Sequence, residues 1–420
     1  MSLNRYLVDF KHPFELKIDE KKLQPDQKKM HNVCMLLNGE IKNDNRVIKM
    51  IRTLSQKSYI DLYYVNGHES DKFIFDKNVN LYSTICKASL KRKLFQHTFF
   101  IWEFNFFFSQ VMNKKVNYDY IWCNDLPTIN PGLKISKKLG AKLIYDSHEI
   151  YLETLNQFFP RNSKGIKKAL YNQNLNLMRF IGRNFNKRVL PQVNTFITVN
   201  ESLREYFIRQ YSIQSSSVIM NLPELKKSEE GADRIDYRSK FNWDKESIIL
   251  IYQGALNEGR GLRLLIELMH TIEKKYKLIV LGNGPLKQNL KDLLAPNNQQ
   301  VKFIDSVPIE QLLDYTRGAD IGINLLEDFN LSKKLASPNK LFEYIHAKIP
   351  VICSNTIENS KVLKNFEIGV LTENNKTSVE NSIIELAEKK KNSFEAEMNC
   401  AIKIYNWSRQ ESKILEILNE

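Results

Sequence analysis

The sequence predicts an α/β protein built from two Rossmann-like domains, each with a parallel sheet. Short apolar runs alternate with helical patterns, which is typical of parallel sheets covered by helices on both faces. These runs form two series, and the polar, charge-rich stretch 222–246 separates them. With 420 residues, 42% of them hydrophobic, the chain can fill two cores of ordinary size.

The predicted strands of the N-terminal domain are 33–37, 60–65, 120–123, 143–145 and 195–199. Those of the C-terminal domain are 248–252, 278–281, 301–304, 321–325 and 351–353. The chain is divided into an N-terminal extension (1–30), an N-terminal domain (31–221), a linker (222–246), a C-terminal domain (247–398) and a last helix (399–420). We expect that helix to pack back on the N-terminal domain, with Trp407 as its anchor.

Positive charge is concentrated in the N-terminal part of the chain. Residues 1–221 hold 34 Lys and Arg against 19 Asp and Glu, a net charge of +15, whereas the remaining 28 and 29 give −1. Within this part, the stretch 154–200 contains eight cations and no acid. The cations are Arg161, Lys164, Lys167, Lys168, Arg179, Arg183, Lys187 and Arg188, and the interspersed apolar residues are Ile166, Leu170, Leu177, Phe180 and Ile181.

Two interpretations of this basic amphipathic stretch stay open. In the first, the stretch docks on an anionic membrane surface that presents a lipid-linked acceptor. In the second, its apolar residues pack in the core and its cations form a face exposed to solvent. A second candidate, 87–108, has cations before an aromatic-rich helix, and there core packing is the favoured interpretation.

Several features predict a cytoplasmic protein without a membrane span. The longest aromatic run is broken by Glu103 and Asn105, and residues 1–30 are too charged for a signal peptide. The five cysteines are widely spaced and lack a Cys-x-x-Cys, so neither a disulfide framework nor a zinc site is indicated. If the basic stretch docks on lipid, the protein is peripheral on the inner face of the cytoplasmic membrane.

The segment 337–352 predicts a helix start that binds phosphate. A helix over 339–347 would begin just after Pro338, whose fixed φ and missing N–H suit a first turn. Its free amides and the ammonium of Lys340 would meet a diphosphate at Ser337, and Glu343 follows on the same face, within reach of a ribose. For Lys340, a solvated position on the helix surface is the alternative.

This segment resembles the donor-binding segment of family 4 retaining glycosyltransferases of group 1 type. That family has the GT-B fold, two Rossmann-like domains facing across a cleft, and its Pro-x-Lys-x-x-Glu-Tyr stretch ends in an x-Pro-Val-Ile strand. The resemblance runs from about Asn32 to the C-terminus in the family's order, through 44–54, 119–149, 195–203, 251–269 and 281–290. It implies that Glu343 binds the ribose hydroxyls of a nucleotide sugar.

The resemblance also implies donor contacts in two glycine loops. The glycines are Gly254, Gly259 and Gly261 in the first loop and Gly282 and Gly284 in the second. The family's first loop usually carries two cations. Here Ala255 replaces one and Arg260 matches the other, so Lys340 is the candidate for the second charge. Cations and amides can stabilise a departing diphosphate, and the chain has no Asp-x-Asp, so we expect no metal and no cofactor.

On the N-terminal side, His148 follows the predicted strand 143–145, where open α/β sheets bind ligands. The family has a His here that faces the donor sugar. Asp146 or Glu149 would orient its ring, unless Glu149 caps the next helix.

Four further residues are assigned to the acceptor side of the cleft: Gly39, Asp44, Arg46 and Asp125. For Asp44, capping the following helix is an equal alternative.

The chain departs from the family at three positions. The family's paired glutamates have seven residues between them, and the first position is Leu335 here. Glu327 and Asp328 lie upstream at the wrong spacing, and Lys348 stands where a glycine is usual.

We therefore expect a retaining, metal-independent hexosyltransferase with His148, Glu343 and Arg260 as its catalytic residues. It would move a sugar from a UDP- or GDP-sugar to a glycan or lipid-linked acceptor in surface polysaccharide synthesis. A non-catalytic, donor-binding or scaffold relative is the alternative, because of Leu335 and Ala255. The pI near 9.3 suggests a nucleic-acid binder, but the basic stretch lacks the interleaved surface aromatics for base stacking, so no nucleic-acid partner is expected.

Overall fold

The structure is a computed structural model that describes residues 30–84, 101–155, 165–225, 234–327, 330–389 and 391–419. The predicted N-terminal extension up to residue 29, the cations of 87–100, Arg161, Lys164 and Asp328 lie outside these ranges. So does the middle of the predicted linker, 226–233.

Within the described residues, the N-terminal half forms a seven-stranded parallel sheet in the order β3-β2-β1-β4-β5-β6-β7. Its strands are β1 (His31–Leu37), β2 (Ser58–Val65), β3 (Val79–Thr84), β4 (Tyr120–Asn124), β5 (Lys142–Ser147), β6 (Thr195–Thr198) and β7 (Ser216–Val218). The strand order reverses between β1 and β4. A crevice at the carboxyl ends of these strands is the usual ligand site of such sheets.

The described C-terminal half forms a six-stranded parallel sheet in the order β10-β9-β8-β11-β12-β13. Its strands are β8 (Ile248–Gln253), β9 (Tyr276–Leu281), β10 (Val301–Ile304), β11 (Ile321–Asn324), β12 (Val351–Ser354) and β13 (Gly369–Thr372). Here the order reverses between β8 and β11, so each half has its own switch point.

Helices connect the strands of both sheets. In the N-terminal half they are Asn45–Leu54, Ile101–Lys114, Leu126–Leu139, Tyr151–Thr154, Gly165–Val189 and Glu201–Gln210. In the C-terminal half they are Tyr237–Phe241, Leu262–Leu268, Lys287–Asp292, Ile309–Arg317, Leu331–Lys334, Asn339–His346, Ile357–Asn365, Lys376–Glu388, Glu395–Ile404 and Ser408–Ile417.

The first sheet is buried on both faces, which explains its continuous apolar strands. Along β1, Cys34 and Leu36 pack into one core cluster, while Val33, Met35 and Leu37 pack into the cluster on the other face. This alternation follows from the two-residue repeat of a strand.

The ten strands expected from the sequence are present, with ends that differ by at most two residues. Three further strands were not predicted: β3, β7 and β13. Each lies at a sheet edge and is mostly half-buried, so its sequence lacks the continuous apolar run of a central strand. Pairing with a neighbouring strand defines them more than their own residues do.

The predicted linker is too long at its C-terminal end. Tyr237 is fully buried and Trp243 is 9% exposed, and both belong to the core cluster of the C-terminal half. These two aromatic residues lie among many charged residues, so the average composition of the stretch did not indicate a buried segment. The C-terminal half therefore begins before residue 247.

The chain returns to the N-terminal half at its end. Met398 and Ala401 still pack in the C-terminal core, so the crossing comes later than residue 399. Trp407 then packs with Ile414 and Ile417 in the core cluster that contains β1, and its indole Nε1 donates to Thr53 Oγ1 at 3.1 Å. Its backbone N–H donates to Pro223 O at 2.8 Å, so both interdomain crossings meet at this residue.

The basic stretch forms the helix Gly165–Val189. Its buried side is represented by Met178, whereas four of the five apolar residues noted in the sequence are exposed. These are Leu170 (60%), Leu177 (55%), Phe180 (64%) and Ile181 (43%), which we call the exposed apolar stripe. The interpretation of these four positions as core is therefore wrong.

The aromatic stretch behaves differently. Its helix, Ile101–Lys114, buries Phe107 in the N-terminal core, which confirms core packing for this residue, and Val111 further along the helix is buried there as well. Over the portions of the chain that the structure describes, no helix combines the length and apolar character needed to cross a membrane.

Candidate active site

A cavity of about 540 Å³ lies between the two halves, at the carboxyl ends of the central strands. From the N-terminal half it is lined by Asp44, Asn45, Arg46, His148, Glu149, Val199, Leu203 and Asn221. From the C-terminal half it is lined by Gly254, Ala255, Arg260, Leu326, Ser332, Lys333, Ala336, Ser337, Pro338, Asn339, Lys340, Phe342 and Glu343. Nine of the residues predicted from the sequence are therefore brought together: Asp44, Arg46, His148, Gly254, Arg260, Ser337, Pro338, Lys340 and Glu343.

The helix Asn339–His346 presents its first turns to this cavity. Pro338 occupies the cap position with extended backbone, and Ser337 and Asn339 line the cavity beside it. The helix is fixed to the sheet by Tyr344, whose hydroxyl donates to Ile323 O at 3.1 Å. A Cβ on Gly322 of β11 would lie 2.5 Å from Tyr344 Cγ, so that ring packs directly on the strand.

Glu343 is held in place by a polar chain behind it. Its Oε2 accepts from Gln253 Nε2 at 2.6 Å, and Gln253 Oε1 accepts from Thr316 Oγ1 at 2.7 Å. Burial raises the pKa of Glu343, although the Gln253 hydrogen bond and the Lys340 charge oppose the shift. Sequence reasoning missed Gln253. Its signal was a polar residue at the end of the apolar run of β8, directly before Gly254.

Lys340 is buried, so the alternative of a solvated helix residue is wrong. Lys340 is only 6% exposed, and its Nζ lies 3.9 Å from the centroid of the Tyr252 ring. Within the described residues this Nζ has no hydrogen-bond partner. Burial, with Arg260 adding to it, holds the pKa of Lys340 well below its ordinary value. A bound anion would reverse that shift, because an opposite charge favours the ammonium.

Of the glycines in the two loops, only Gly254 is among the described residues that line the cavity. The others shape the site through the path of the backbone. Gly282 has φ +144°, and a Cβ there would lie 2.0 Å from Gly254 O, so the two loops touch through backbone atoms. Gly261 has φ +65°, and its N–H donates to Glu327 Oε1 at 3.2 Å. Glu327 thus holds the first loop in place. Gly259, Gly261, Gly282 and Gly284, which were predicted to contact the donor, are not among the described residues that line the cavity.

His148 is clamped between two carboxylates. Its Nδ1 lies 3.2 Å from Asp125 Oδ2, its Nε2 lies 3.5 Å from Asp146 Oδ2, and its backbone N–H donates to Asp125 Oδ1 at 3.1 Å. Burial lowers the pKa of His148, but the two carboxylates outweigh it and raise the pKa well above 6.5. The two carboxylates thus favour the charged form of the ring. Asp125 is not among the described residues that line the cavity, and both of its carboxylate oxygens contact His148.

Three N–H groups of the Arg46 guanidinium are bound within the protein. Its Nη2 donates to Asp146 Oδ1 at 2.8 Å, its Nε donates to Asp146 Oδ2 at 3.2 Å, and its Nη1 donates to Ile219 O at 2.6 Å. Arg46 and Asp146 are both buried. Arg46 therefore holds Asp146 beside His148, and it also lines the cavity, so its predicted contact with a ligand stays a prediction.

Two other residues of the N-terminal loop differ in position. Asp44 Oδ1 accepts from Val47 N–H at 3.0 Å, which confirms the helix-capping alternative, and Asp44 also lines the cavity. Gly39 is not among the described residues that line it.

The segment 330–335 of the C-terminal half lies against the N-terminal half. Asn330 Nδ2 donates to Glu153 O at 3.1 Å, Ile150 N–H donates to Ser332 Oγ at 3.2 Å, and Asn200 Nδ2 donates to Leu335 O at 2.8 Å. The Leu335 side chain belongs to the core cluster of the N-terminal half. The position where the family has its first Glu is therefore part of the domain interface.

The two sheets with a shared cleft define the GT-B fold, which confirms the predicted fold class. Solved structures share it. HepE (Alr3699) of Anabaena, in complex with UDP and glucose, has a TM-score of 0.67 at 14% identity, covering 93% of this chain and 99% of that one. Sucrose-phosphate synthase (tll1590) of Thermosynechococcus elongatus has a TM-score of 0.66 at 14% identity, covering 93% and 98%.

Sequence comparison adds a match to a family model. Residues 233–407, in the C-terminal half, match the model described as glycosyl transferases group 1. The chain is also 24% identical over 225 residues to TuaC of Bacillus subtilis (strain 168), which is named as a glycosyltransferase of teichuronic acid biosynthesis. That match covers 51% of this chain and about half, 50%, of the length of TuaC.

Proposed function

We propose that this protein is a retaining glycosyltransferase that transfers a hexose from a UDP- or GDP-sugar to a glycan or lipid-linked acceptor in surface polysaccharide synthesis. The observation that carries the proposal is the interdomain cavity, which gathers Glu343, Lys340 and Arg260 beside a helix start, with His148 opposite. The name of TuaC supports the polysaccharide role, and the HepE complex supports a uridine nucleotide.

The proposed chemistry is electrostatic. Negative charge grows on the departing diphosphate as the sugar becomes cationic, and Arg260, Lys340 and the free amides at the helix start would stabilise it. His148, whose charged form is favoured by Asp125 and Asp146, also lines the cavity. Closure of the two halves would exclude water from the reacting sugar.

The test is a thermal-shift screen against UDP, GDP and their sugars, followed by a transfer and donor-hydrolysis assay with the best ligand. Stabilisation by a nucleotide sugar together with turnover supports the enzyme. Stabilisation without any turnover would favour a donor-binding protein without catalysis, and no stabilisation would contradict the proposal.

Replacing Glu343 by Gln should lower kcat/KM at least about tenfold, because a charged hydrogen bond to ribose contributes roughly 1.5–3 kcal/mol. Steady-state kinetics measure this. Glu385→Gln is the matched control, since its side chain is 52% exposed on a helix of the same domain. A folded Glu343→Gln variant with wild-type kcat/KM would contradict the ribose assignment.

Transfer should persist in EDTA, because Arg260, Lys340 and the helix-start amides are proposed to take the place of a divalent cation. Across the described residues, no group of three or more His, Cys, Asp or Glu side chains is arranged to hold a metal ion. Activity is measured before and after chelation. Loss in EDTA that Mn²⁺ or Mg²⁺ restores would disprove metal independence.

We also place the enzyme at the inner face of the cytoplasmic membrane, through the helix Gly165–Val189. Its exposed apolar stripe is accompanied by Arg183, Lys187 and Arg188, which are exposed as well. Apolar side chains flanked by cations suit an anionic lipid surface, where each cation contributes about 1 kcal/mol.

Replacing Arg183, Lys187 and Arg188 with Glu should strongly reduce co-sedimentation with vesicles of phosphatidylglycerol and phosphatidylethanolamine. The control carries the same charge change on exposed residues of the C-terminal half, Lys364, Lys376 and Lys403. It should still sediment. Equal behaviour of the two variants would show that net charge, and not this helix, determines binding.

A further inference from the structure

Each sugar hydroxyl can donate a hydrogen bond, so a site that selects one sugar needs well-placed hydrogen-bond acceptors. Among the described residues, three carboxylates line the cavity: Asp44, Glu149 and Glu343. Asp44 caps the helix Asn45–Leu54. Glu343 sits at the proposed nucleotide end, bound by Gln253. Glu149 is the remaining carboxylate without an assigned role.

The family that this chain resembles has a glutamate at the position of Leu335, which has no carboxylate to offer. Its side chain is 9% exposed in the N-terminal core cluster, and its carbonyl accepts from Asn200. The backbone at this position is thus bound into the domain interface. Ser332, Lys333 and Ala336 around it nevertheless line the cavity, and among the described residues no acidic side chain of the C-terminal half lines this end of it.

Glu149 comes to the same end of the cavity from the other half. The next residue, Ile150, donates its N–H to Ser332 Oγ at 3.2 Å, which places the backbone of Glu149 against the segment that leads to Leu335. Burial raises the pKa of Glu149 and Asp125 adds to this, while Lys333 opposes the shift.

Among the described residues, only one of the two oxygens of the Glu149 carboxylate accepts a hydrogen bond. Thr154 Oγ1 donates to its Oε1 at 2.9 Å, which fixes the orientation of the carboxylate. In the described part of the chain no hydrogen bond reaches Oε2. One oxygen is thus positioned by the protein, and the second can accept from a ligand in the cavity.

We propose that Glu149 is the residue that recognises the hydroxyls of the donor hexose, in place of the acidic residue missing at Leu335. This rests on the proposed function and goes beyond it, because the sugar-selecting carboxylate then belongs to the N-terminal domain. Sugar recognition would therefore require the two domains to be together, whereas Glu343, Lys340 and Arg260, the proposed nucleotide contacts, all belong to the C-terminal domain.

The experiment measures dissociation constants by calorimetry for a nucleotide and its sugar, with UDP and UDP-glucose, UDP-galactose or UDP-N-acetylglucosamine, and GDP and GDP-mannose as probes. In Glu149→Gln, Kd of the preferred nucleotide sugar should rise about 10- to 150-fold, the factor for a charged hydrogen bond, with Kd of the free nucleotide unchanged within about twofold. Glu343→Gln should weaken both ligands. Glu153→Gln is the matched control, on the adjacent helix Tyr151–Thr154 but outside the lining residues.

Deoxy analogues of the preferred sugar give a second measurement that a purely structural role would not change. The wild type should bind the analogue lacking the recognised hydroxyl more weakly, and Glu149→Gln should bind both sugars alike. An unchanged sugar affinity in Glu149→Gln would overturn the inference, as would equal losses for nucleotide and nucleotide sugar. If the wild type binds none of the nucleotides, the proposed function fails and this inference fails with it.

Discussion

Replacing Lys340 by Met is expected to lower kcat/KM by about 10²–10³-fold, the range for removing one preorganised group from a developing anion. Lys340 Nζ has no hydrogen-bond partner among the described residues and lies over Tyr252 in the cavity wall. A positive charge placed in this way is useful only when an anion arrives. Methionine keeps most of the volume and removes the charge.

The same variant should be as stable as the wild type or more stable, because a buried ammonium without a hydrogen bond is unfavourable in the empty protein. Thermal unfolding without ligand measures this. Lower activity with an unchanged or higher Tm would separate a functional lysine from a structural one. A large drop in Tm would contradict the assignment.

A charge-relocation variant makes the test sharper. Ala255 lines the cavity, and its side chain replaces a cation of the resembling family. In the double variant Lys340→Met/Ala255→Lys, part of the lost activity should return, by about tenfold. Ala255→Ser in the same background is the control and should restore none of it.

Replacing Arg46 by Met is expected to destabilise the N-terminal half by about 3–5 kcal/mol, the usual effect of removing one partner of a buried ion pair. Asp146 would be left buried without its two hydrogen bonds from Arg46. Urea unfolding followed by tryptophan fluorescence measures the loss. Arg204→Met removes the exposed pair with Glu201 and should change the free energy of unfolding by no more than about 1 kcal/mol.

The effect of Arg46→Met should depend on pH in a defined direction. Burial raises the pKa of Asp146, but Arg46 and His148 outweigh it and hold the pKa well below 3.8. A depressed pKa gives stabilisation that is complete above about pH 4 and is lost as the pH falls further. The deficit of the variant should therefore be full near pH 7 and shrink as the pH falls below about 4, where the wild type loses this stabilisation and the carboxylate takes up a proton. A deficit that is constant with pH would show that the ion pair is not its cause.

Much of the fold could be predicted because it follows from local periodicity. Central strands are continuous apolar runs because they are buried on both faces. The ten predicted strands, nine central ones and the edge strand β10, are all present within two residues. The helix around Glu343 was predictable from Pro338 and the following strand. Edge strands such as β7 (Ser216–Val218) carry no such pattern, because one side of each lacks a neighbouring strand.

The candidate site was predicted only in part. Glu343, Lys340, Arg260 and His148 do meet in one cavity, as expected from their places at strand and helix ends. The partners that orient them were not predictable, since Gln253 is 90 residues from Glu343 and Arg46 is 100 residues from Asp146. No local spacing relates residues so far apart.

The sequence by itself determined the α/β class, the two series of central strands and the helix that carries Glu343, because these depend on apolar periodicity and on the preferences of proline and glycine. Only the tertiary structure decided that Lys340 is buried, that Arg46 is bound to Asp146, that Leu335 lies in the domain interface and that the apolar stripe of Gly165–Val189 is exposed. The reason is physical. A residue's type states what it can bind, but its burial and its partners are fixed by packing between elements that are distant in the chain.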